Sequence, residues 1–434
     1  MKKTLLALFM GAWMSFGAFA QNTPHRICGT IDLLNQQLAS DPGMAARMQA
    51  VENQTAEYVR THAHNNQAES VITIPVVFHI VYNTTAQNIT DAKCIAQLNQ
   101  LNLDYARLNA DASSTPAAFQ GVAANTGIQF CLAQRDPNGN ATTGIERRQT
   151  TVTSFSTNDN VKRYANGGLD AWSSSSYLNI WVCNLSGGVL GYAQFPGSAA
   201  ATDGVVLLYS SVGSVASPGT ASPYNLGRTA THEVGHWLNL RHIWGDDGSG
   251  CSGSDQVSDT PNQASEKYGC PSYPSTDACT STSPGIMFMN YMDYTDDACM
   301  NMFTAGQSSR MNALFATGGA RVSLLTSLGC TPPSGGGSCG TPSGLASSSI
   351  TTTSATVSWA AVSGASSYNV QYRVNGTTTW TTVTSTTNSR SLTGLTANTT
   401  YQYQVQAVCS GTSGTYSSIG TFTTSTATTC GTPA

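Results

Sequence analysis

The chain has 434 residues, 40% of them hydrophobic and 10% charged, with a formal net charge of −4. That length suits two or three domains at roughly 100–200 residues each, and the charged share is far below the roughly 25% usual for soluble domains. The faint negative charge, with no Lys/Arg block, excludes a protein that binds nucleic acid by neutralising phosphates. Beyond the N-terminus no apolar run reaches the roughly 18 residues of a membrane-spanning helix.

Lys2 and Lys3, the apolar stretch from Leu5 through Trp13, and the small-x-small Ala18-Phe19-Ala20 predict a signal peptide over residues 1–20. Gln21 rather than Cys follows the cut, so no lipoprotein anchor is expected. Residues 21–70 are expected to form a propeptide of mixed helix and polar loop, ending in the polar stretch Thr61–Gln67. The β-branched run Val71–Tyr82 predicts a strand covered on both faces. Thr90-Asp91 caps a predicted helix with a stripe of Ile95, Leu98, Leu101, Leu103 and Tyr105. Short runs at Ile128–Ala133, Tyr177–Val182 and Gly204–Tyr209 are further strands. Alternation of strand and helix sets an α/β-type domain over 71–328, which turns loop-rich and cysteine-rich after 245.

Residues 329–338 form a Pro/Gly/Ser linker. The stretch 339–427 carries two charges, Arg373 and Arg390, and alternates strictly, with Tyr401, Tyr403, Val405 and Ala407 against Gln402, Gln404 and Gln406. With Trp359 on an earlier strand, it resembles a fibronectin type III sandwich with Tyr401 at the tyrosine corner. Cys339-Gly340-Thr341-Pro342 recurs as Cys430-Gly431-Thr432-Pro433, so residues 428–434 are expected to begin a second, truncated repeat. The scattered cysteines, in an exported chain, read as a disulfide set rather than a metal knuckle.

The segment with chemistry in it is His232-Glu233-Val234-Gly235-His236-Trp237-Leu238-Asn239-Leu240-Arg241-His242. On a helix His232 and His236 share a face and can point at one ion. Catalytic zinc takes three protein ligands and an open position, and His242 supplies the third if the helix ends just after His236. Glu233 then stands beside the open position as general base for a water. The eleven-residue form is the metzincin signature, with Asn239 where Gly is usual; Asn tolerates the left-handed turn at about 1 kcal/mol. Downstream, Asn290-Tyr291-Met292-Asp293-Tyr294 matches a Met-turn.

Together with Asp246, the Asp259-Thr260-Pro261 loop and Met292–Phe303, these motifs resemble the pappalysin family of metzincins, in its bacterial cytophagalysin branch, over residues 71–328. The resemblance implies a zincin catalytic domain, with a mixed twisted sheet and an active-site helix. It implies Tyr294 as hydrogen-bond donor to the oxyanion, and Asp297 at the base of a pocket that favours Arg or Lys after the scissile bond; a solvated turn is equally open for Asp297 on residues alone. Gly191, Tyr192 and Ala193 would form an edge strand that pairs with an extended peptide. Cysteines 251, 270, 279 and 299 would pair as Cys251–Cys279 and Cys270–Cys299, one of three connectivities; Cys339 and Cys409 are placed in the disulfide set of the sandwich. Asp255, Asp259 and Thr260 offer oxygen donors where relatives bind calcium, a plain polar loop being as open.

Cys28, in Arg26-Ile27-Cys28-Gly29-Thr30, resembles a cysteine switch that blocks the open zinc position; the alternative is a disulfide to Cys94, Cys131, Cys183 or Cys330. The expectation is thus a secreted, latent zinc endopeptidase acting on proteins and peptides, with cell-surface or matrix contacts through its C-terminal module. A secreted adhesion protein with an inactive protease-like domain is the rival. Retention of Glu233 beside both histidines argues against it.

Overall fold

The structure, a computed structural model, describes residues 25–62, 71–246, 250–333, 339–409 and 412–427. The expected signal peptide and the start of a second repeat lie outside them. Two helices open the described chain, α1 (Thr30–Ser40) and α2 (Met44–His62). Strand β1 (Ile72–Tyr82) follows, with Ile74–Val81 buried throughout, as its unbroken apolar run requires. It pairs in parallel with β2 (Ile128–Leu132) and β3 (Ile145–Gln149) along one edge and with β4 (Leu178–Cys183) along the other. Beyond β4 lie β6 (Val205–Leu208), parallel to it, and the antiparallel outer strand β5 (Gly191–Ala193).

Helix α3 (Asp91–Tyr105) starts where Thr90 accepts a hydrogen bond from the Lys93 amide. Its buried face is Cys94, Gln97, Leu98, Gln100, Leu101, Asp104 and Tyr105, while Ile95 and Leu103 are exposed. The expected stripe is therefore corrected at those two positions. Polar Gln97, Gln100 and Asp104 turn inward because each has a partner there: Gln97 the Gly213 amide and the Gly227 carbonyl, Gln100 the Val215 amide, and Asp104 the Arg228 guanidinium. After the short α4 (Ala117–Gln120), helix α5 (Arg228–Trp237) is buried at every residue, and α6 (Ala305–Ala313) is capped by a Thr304/Gln307 box. The main core lies between the sheet and α3, α5 and the Met292 region.

Cys131–Cys330, Cys251–Cys279 and Cys270–Cys299 staple this domain. Its backbone contacts continue to Pro332, whose carbonyl accepts from Arg135. The C-terminal sandwich has one sheet of β7 (Ala346–Ser348), β8 (Ser354–Ser358) and β11 (Ser389–Thr393). The other holds β9 (Ser367–Val374), β10 (Thr381–Ser385), β12 (Thr400–Cys409), β13 (Thr412–Tyr416) and β14 (Gly420–Thr423); all pairings are antiparallel. The Tyr401 hydroxyl accepts from the Thr396 amide at 2.9 Å, which is the tyrosine corner, and Cys339 is bonded to Cys409.

Candidate active site

Helix α5 ends at Trp237, and Asn239 takes φ 69°, the left-handed conformation that folds the chain back. That turn brings His242 to the helix. The Nε2 atoms of His232, His236 and His242 stand 3.1, 3.1 and 3.3 Å apart. Ligands 2.0–2.1 Å from a tetrahedral zinc would be about 3.3–3.4 Å apart, so the three fit a zinc-sized ion. Their Nδ1 atoms face acceptors that cannot donate: the Tyr291 carbonyl at 2.7 Å, the Leu240 carbonyl at 2.8 Å, and the Asp246 carboxylate. Each Nδ1 therefore carries the proton and each Nε2 keeps its lone pair for a metal. Burial, and then the neighbouring imidazoles, push His232 well below the usual histidine range and His236 down to about 3. Neutral rings are what a metal needs.

Cys28 joins the three histidines in one buried group with all ligand atoms within 4.8 Å. Its thiol donates to Glu233 Oε2 at 3.4 Å, and Thr30 Oγ1 donates to the same oxygen at 2.9 Å. Burial, then the Glu233 charge, hold the Cys28 thiol well above its ordinary pKa; a cation at the centre of the group would reverse that. Burial lifts Glu233 to about 7 against the lowering hydrogen bonds from Thr30 and Cys28. The segment around Cys28 lies along the free edge of β5 as a parallel partner: Gly29 N donates to Gly191 O and Leu190 N to Ile27 O, both at 2.9 Å. A Cβ at Gly191 would sit 2.8 Å from Glu233 Cγ, so glycine lets the strand approach the acid.

Asp297 is fully buried. Its Oδ2 accepts from the Leu226 and Arg228 amides at 2.7 and 3.3 Å, and its Oδ1 from Arg26 at 2.5 Å. Met292 lies against the helix where Gly235 leaves room, since a Cβ there would meet its Sδ at 2.6 Å. The Tyr294 ring stands 5.0 Å from His242 and 5.8 Å from His232, centroid to centroid. In the acidic loop, Thr260 Oγ1 contacts Asp255 Oδ2 at 2.8 Å and the Val257 carbonyl at 3.0 Å. Asp259 turns away and accepts from Thr304 Oγ1 and the Gly306 amide at the start of α6.

The structure thus gathers His232, Glu233, His236, His242, Met292, Tyr294, Gly191 and Cys28 at one centre. Tyr192 lies in the same strand with its ring in the core beneath, and Ala193 N is taken by Thr30 Oγ1 at 2.9 Å. Asp246, the Tyr291 carbonyl, Thr30 and Arg26 are the members to which reading the sequence assigned no role of their own. Asp246, four residues after His242, had a usable signal in that spacing; the others are paired across 59 to 271 positions.

A helix carrying two histidines, a left-handed turn to a third, and a methionine beneath them on a mixed sheet define a metallopeptidase of metzincin type. The family profile described as pregnancy-associated plasma protein-A matches residues 156–316, and a fibronectin type III profile matches 340–423. An extracellular metalloprotease of Pyricularia oryzae is 33% identical over 71% of this chain and 95% of its own length. Mature mirolysin of Tannerella forsythia, solved with a cleaved peptide, is 57% identical over 59% of this chain and 97% of that one, with a TM-score of 0.58. A promirolysin mutant from the same organism is 52% identical over 69% of this chain and 97% of that one, at TM-score 0.63. The chain belongs to the pregnancy-associated plasma protein-A family of metallopeptidases, the pappalysins, and carries a fibronectin type III domain behind the catalytic one. No helix among the described residues is long and apolar enough to cross a membrane.

Proposed function

We propose that this chain is a secreted zinc endopeptidase held latent by its N-terminal segment, and that it cleaves before Arg and, less well, Lys. The carrying observation is the convergence of three Nε2 atoms at 3.1–3.3 Å beside Glu233. His232, His236 and His242 would hold the zinc, which when bound lowers the pKa of a water and polarises the scissile carbonyl. Glu233 takes the proton of the attacking water and delivers it to the departing amine. The Tyr294 hydroxyl donates to the carbonyl oxygen as negative charge builds there. A peptide pairs with Gly191–Ala193 through its backbone.

In the latent chain that edge is taken by residues 27–30, with Cys28 at the open metal position and Arg26 in the pocket of Asp297. Arg26 is nearly fully buried, its guanidinium also reaching the Thr295 carbonyl at 3.3 Å and lying 5.0 Å over the Tyr224 ring. A pocket that accepts a guanidinium from the chain itself suits one from a substrate. Asp255, Thr260 and the Val257 carbonyl would bind calcium, with Asp259 as the clip to α6. The fibronectin type III domain would supply surface or matrix contacts.

The test is Glu233→Ala with metal analysis. It should keep one zinc per chain and its fold, and, compared with the unaltered protein after the N-terminal segment has been removed from both, lose peptidase activity by about 10²–10⁴-fold. Wild-type rates in that variant would remove Glu233 from the mechanism, and absence of zinc from the unaltered chain would remove the metal assignment.

A further inference from the structure

We propose that Arg228 and Tyr291 act as a positioning pair that holds His232 in its metal-binding orientation and tautomer. The inference rests on the assignment of His232 as a zinc ligand. The three histidines are held from behind by three different acceptors. For His236 and His242 the acceptor is local, Leu240 O and Asp246, each four residues on. For His232 it is the carbonyl of Tyr291, 59 residues away in the Met-turn. A loop carbonyl can fix a ring only as well as the loop is itself fixed.

Arg228 supplies that fixing. It is the first residue of α5, one turn before His232, and it is fully buried. Its Nη1 donates to the Tyr291 hydroxyl at 2.6 Å and to Asp104, and its Nη2 to Asp111 at 2.9 and 3.1 Å. Asp104 also accepts from Thr231 Oγ1 at 2.6 Å and Gln100 Nε2 at 2.7 Å, so α3, α5 and the Met-turn meet at one guanidinium. The Tyr291 ring is fully buried against Phe303, at 4.8 Å between centroids. Packing sets the plane of the ring, and the Arg228 bond sets how far it reaches.

Such a network is not what a core needs for stability. Buried ion pairs are often replaced by apolar residues at no loss, and a large apolar core already packs against α3 and α5. Burial pushes Asp104 up to about 6 even beside Arg228, which shows the desolvation the arrangement carries. Its geometric yield is a Tyr291 carbonyl that stays 2.7 Å from His232 Nδ1, keeping the proton there and the Nε2 lone pair on the metal.

The experiment measures zinc affinity of the full-length chain by competition with a chromophoric chelator, at a temperature where circular dichroism shows the metal-free protein folded. Tyr291→Phe removes one hydroxyl from a retained ring, and should weaken zinc about 10-fold, the lower end of the range for outer partners of a metal ligand. Arg228→Lys, which cannot hold three partners in one plane, should weaken it in the same direction, and the double variant no more than the weaker single. A Tyr291→Phe protein that melts earlier yet binds zinc within twofold of the unaltered chain would overturn the proposal, leaving the pair a plain packing feature. His232→Ala serves as the control: unchanged zinc affinity there would overturn the ligand assignment itself.

Discussion

Asp297 and Asp293 are two buried carboxylates in the same stretch with different consequences. Asp297 has one oxygen fixed by the Leu226 and Arg228 amides, which leaves the other to face a cation. A charge-assisted bond to Arg contributes about 1.5–3 kcal/mol, or roughly 10–150-fold in rate. Peptide-library profiling should therefore show Arg, then Lys, after the scissile bond, and Asp297→Ala should flatten that preference with zinc retained. A preference for Leu or Phe in the unaltered enzyme would contradict the assignment. Asp293 instead accepts from Gln263 Nε2 and from the Lys267 and Tyr294 amides, and burial lifts it to about 7. The folded state thus binds its proton more tightly than the unfolded one. This contribution to stability is full below about 4 and is lost as pH rises to about 7. Asp293→Asn can donate to Gln263 Oε1, which otherwise has no partner. The difference between melting temperatures at pH 5 and pH 7 should shrink in that variant; an unchanged difference would place the titration elsewhere. The histidine trio was legible because its ligands lie within eleven residues. Arg26 on Asp297 was not, because nothing local to either residue names a partner 271 positions away.

At the scale of elements, the N-terminal segment is held along its length, with Leu33 of α1 in the core beside Tyr192 and Arg47 donating to the Gly197 carbonyl at 2.8 Å, and two of its attachments bear on the site. One is the residue 26–30 stretch at the metal centre. The other is α2, whose Glu52 receives Arg310 Nη2 at 2.9 and 3.1 Å, while Thr55 Oγ1 accepts from Asn239 and Gln54 donates to the Ala313 carbonyl at 2.9 Å. Arg310 also donates to Asn239 O at 3.2 Å, so α2 braces the turn that leads to His242. Glu52→Gln weakens the charge-assisted pair with Arg310, of about 1.5–3 kcal/mol, in a site that is mostly buried. Hydrogen exchange should speed up in α2 with the 26–30 contacts unchanged, whereas Cys28→Ala should loosen residues 26–30 and shorten the time to activation. Equal exchange across both stretches in either variant would show a single cooperative attachment. The strands and α3 were readable from period and caps, but Ile95 and Leu103 misled because α3 buries amides and Asp104 in their place. No hydrophobicity pattern announces a helix face built to meet a guanidinium and two backbone amides.

Among the described residues, the main core of the catalytic domain, around Val76, Phe78, Val234 and Met292, shares no residue with the core of the sandwich, around Val357, Trp359, Tyr403 and Val405. The expected metal belongs to the first. The proposed ligands come from α5, from the turn beyond it, and, in the latent chain, from the N-terminal segment, so binding would tie together parts that unfolding disperses. A ligand that binds only the folded state, at 100 times its dissociation constant, adds about 2.7 kcal/mol. At roughly 2–4 °C per kcal/mol for domains of this size, chelation should lower the catalytic transition by roughly 5–10 °C. The fibronectin type III sandwich has its own core, its own Cys339–Cys409 bond and no histidine, and its transition should stay where it is. Scanning calorimetry of the full-length chain with and without a zinc chelator checks this directly. Two transitions, of which only one moves and returns on adding zinc, is the expected outcome; a single transition, or a shift of both together, would mean that the two cores unfold as one unit.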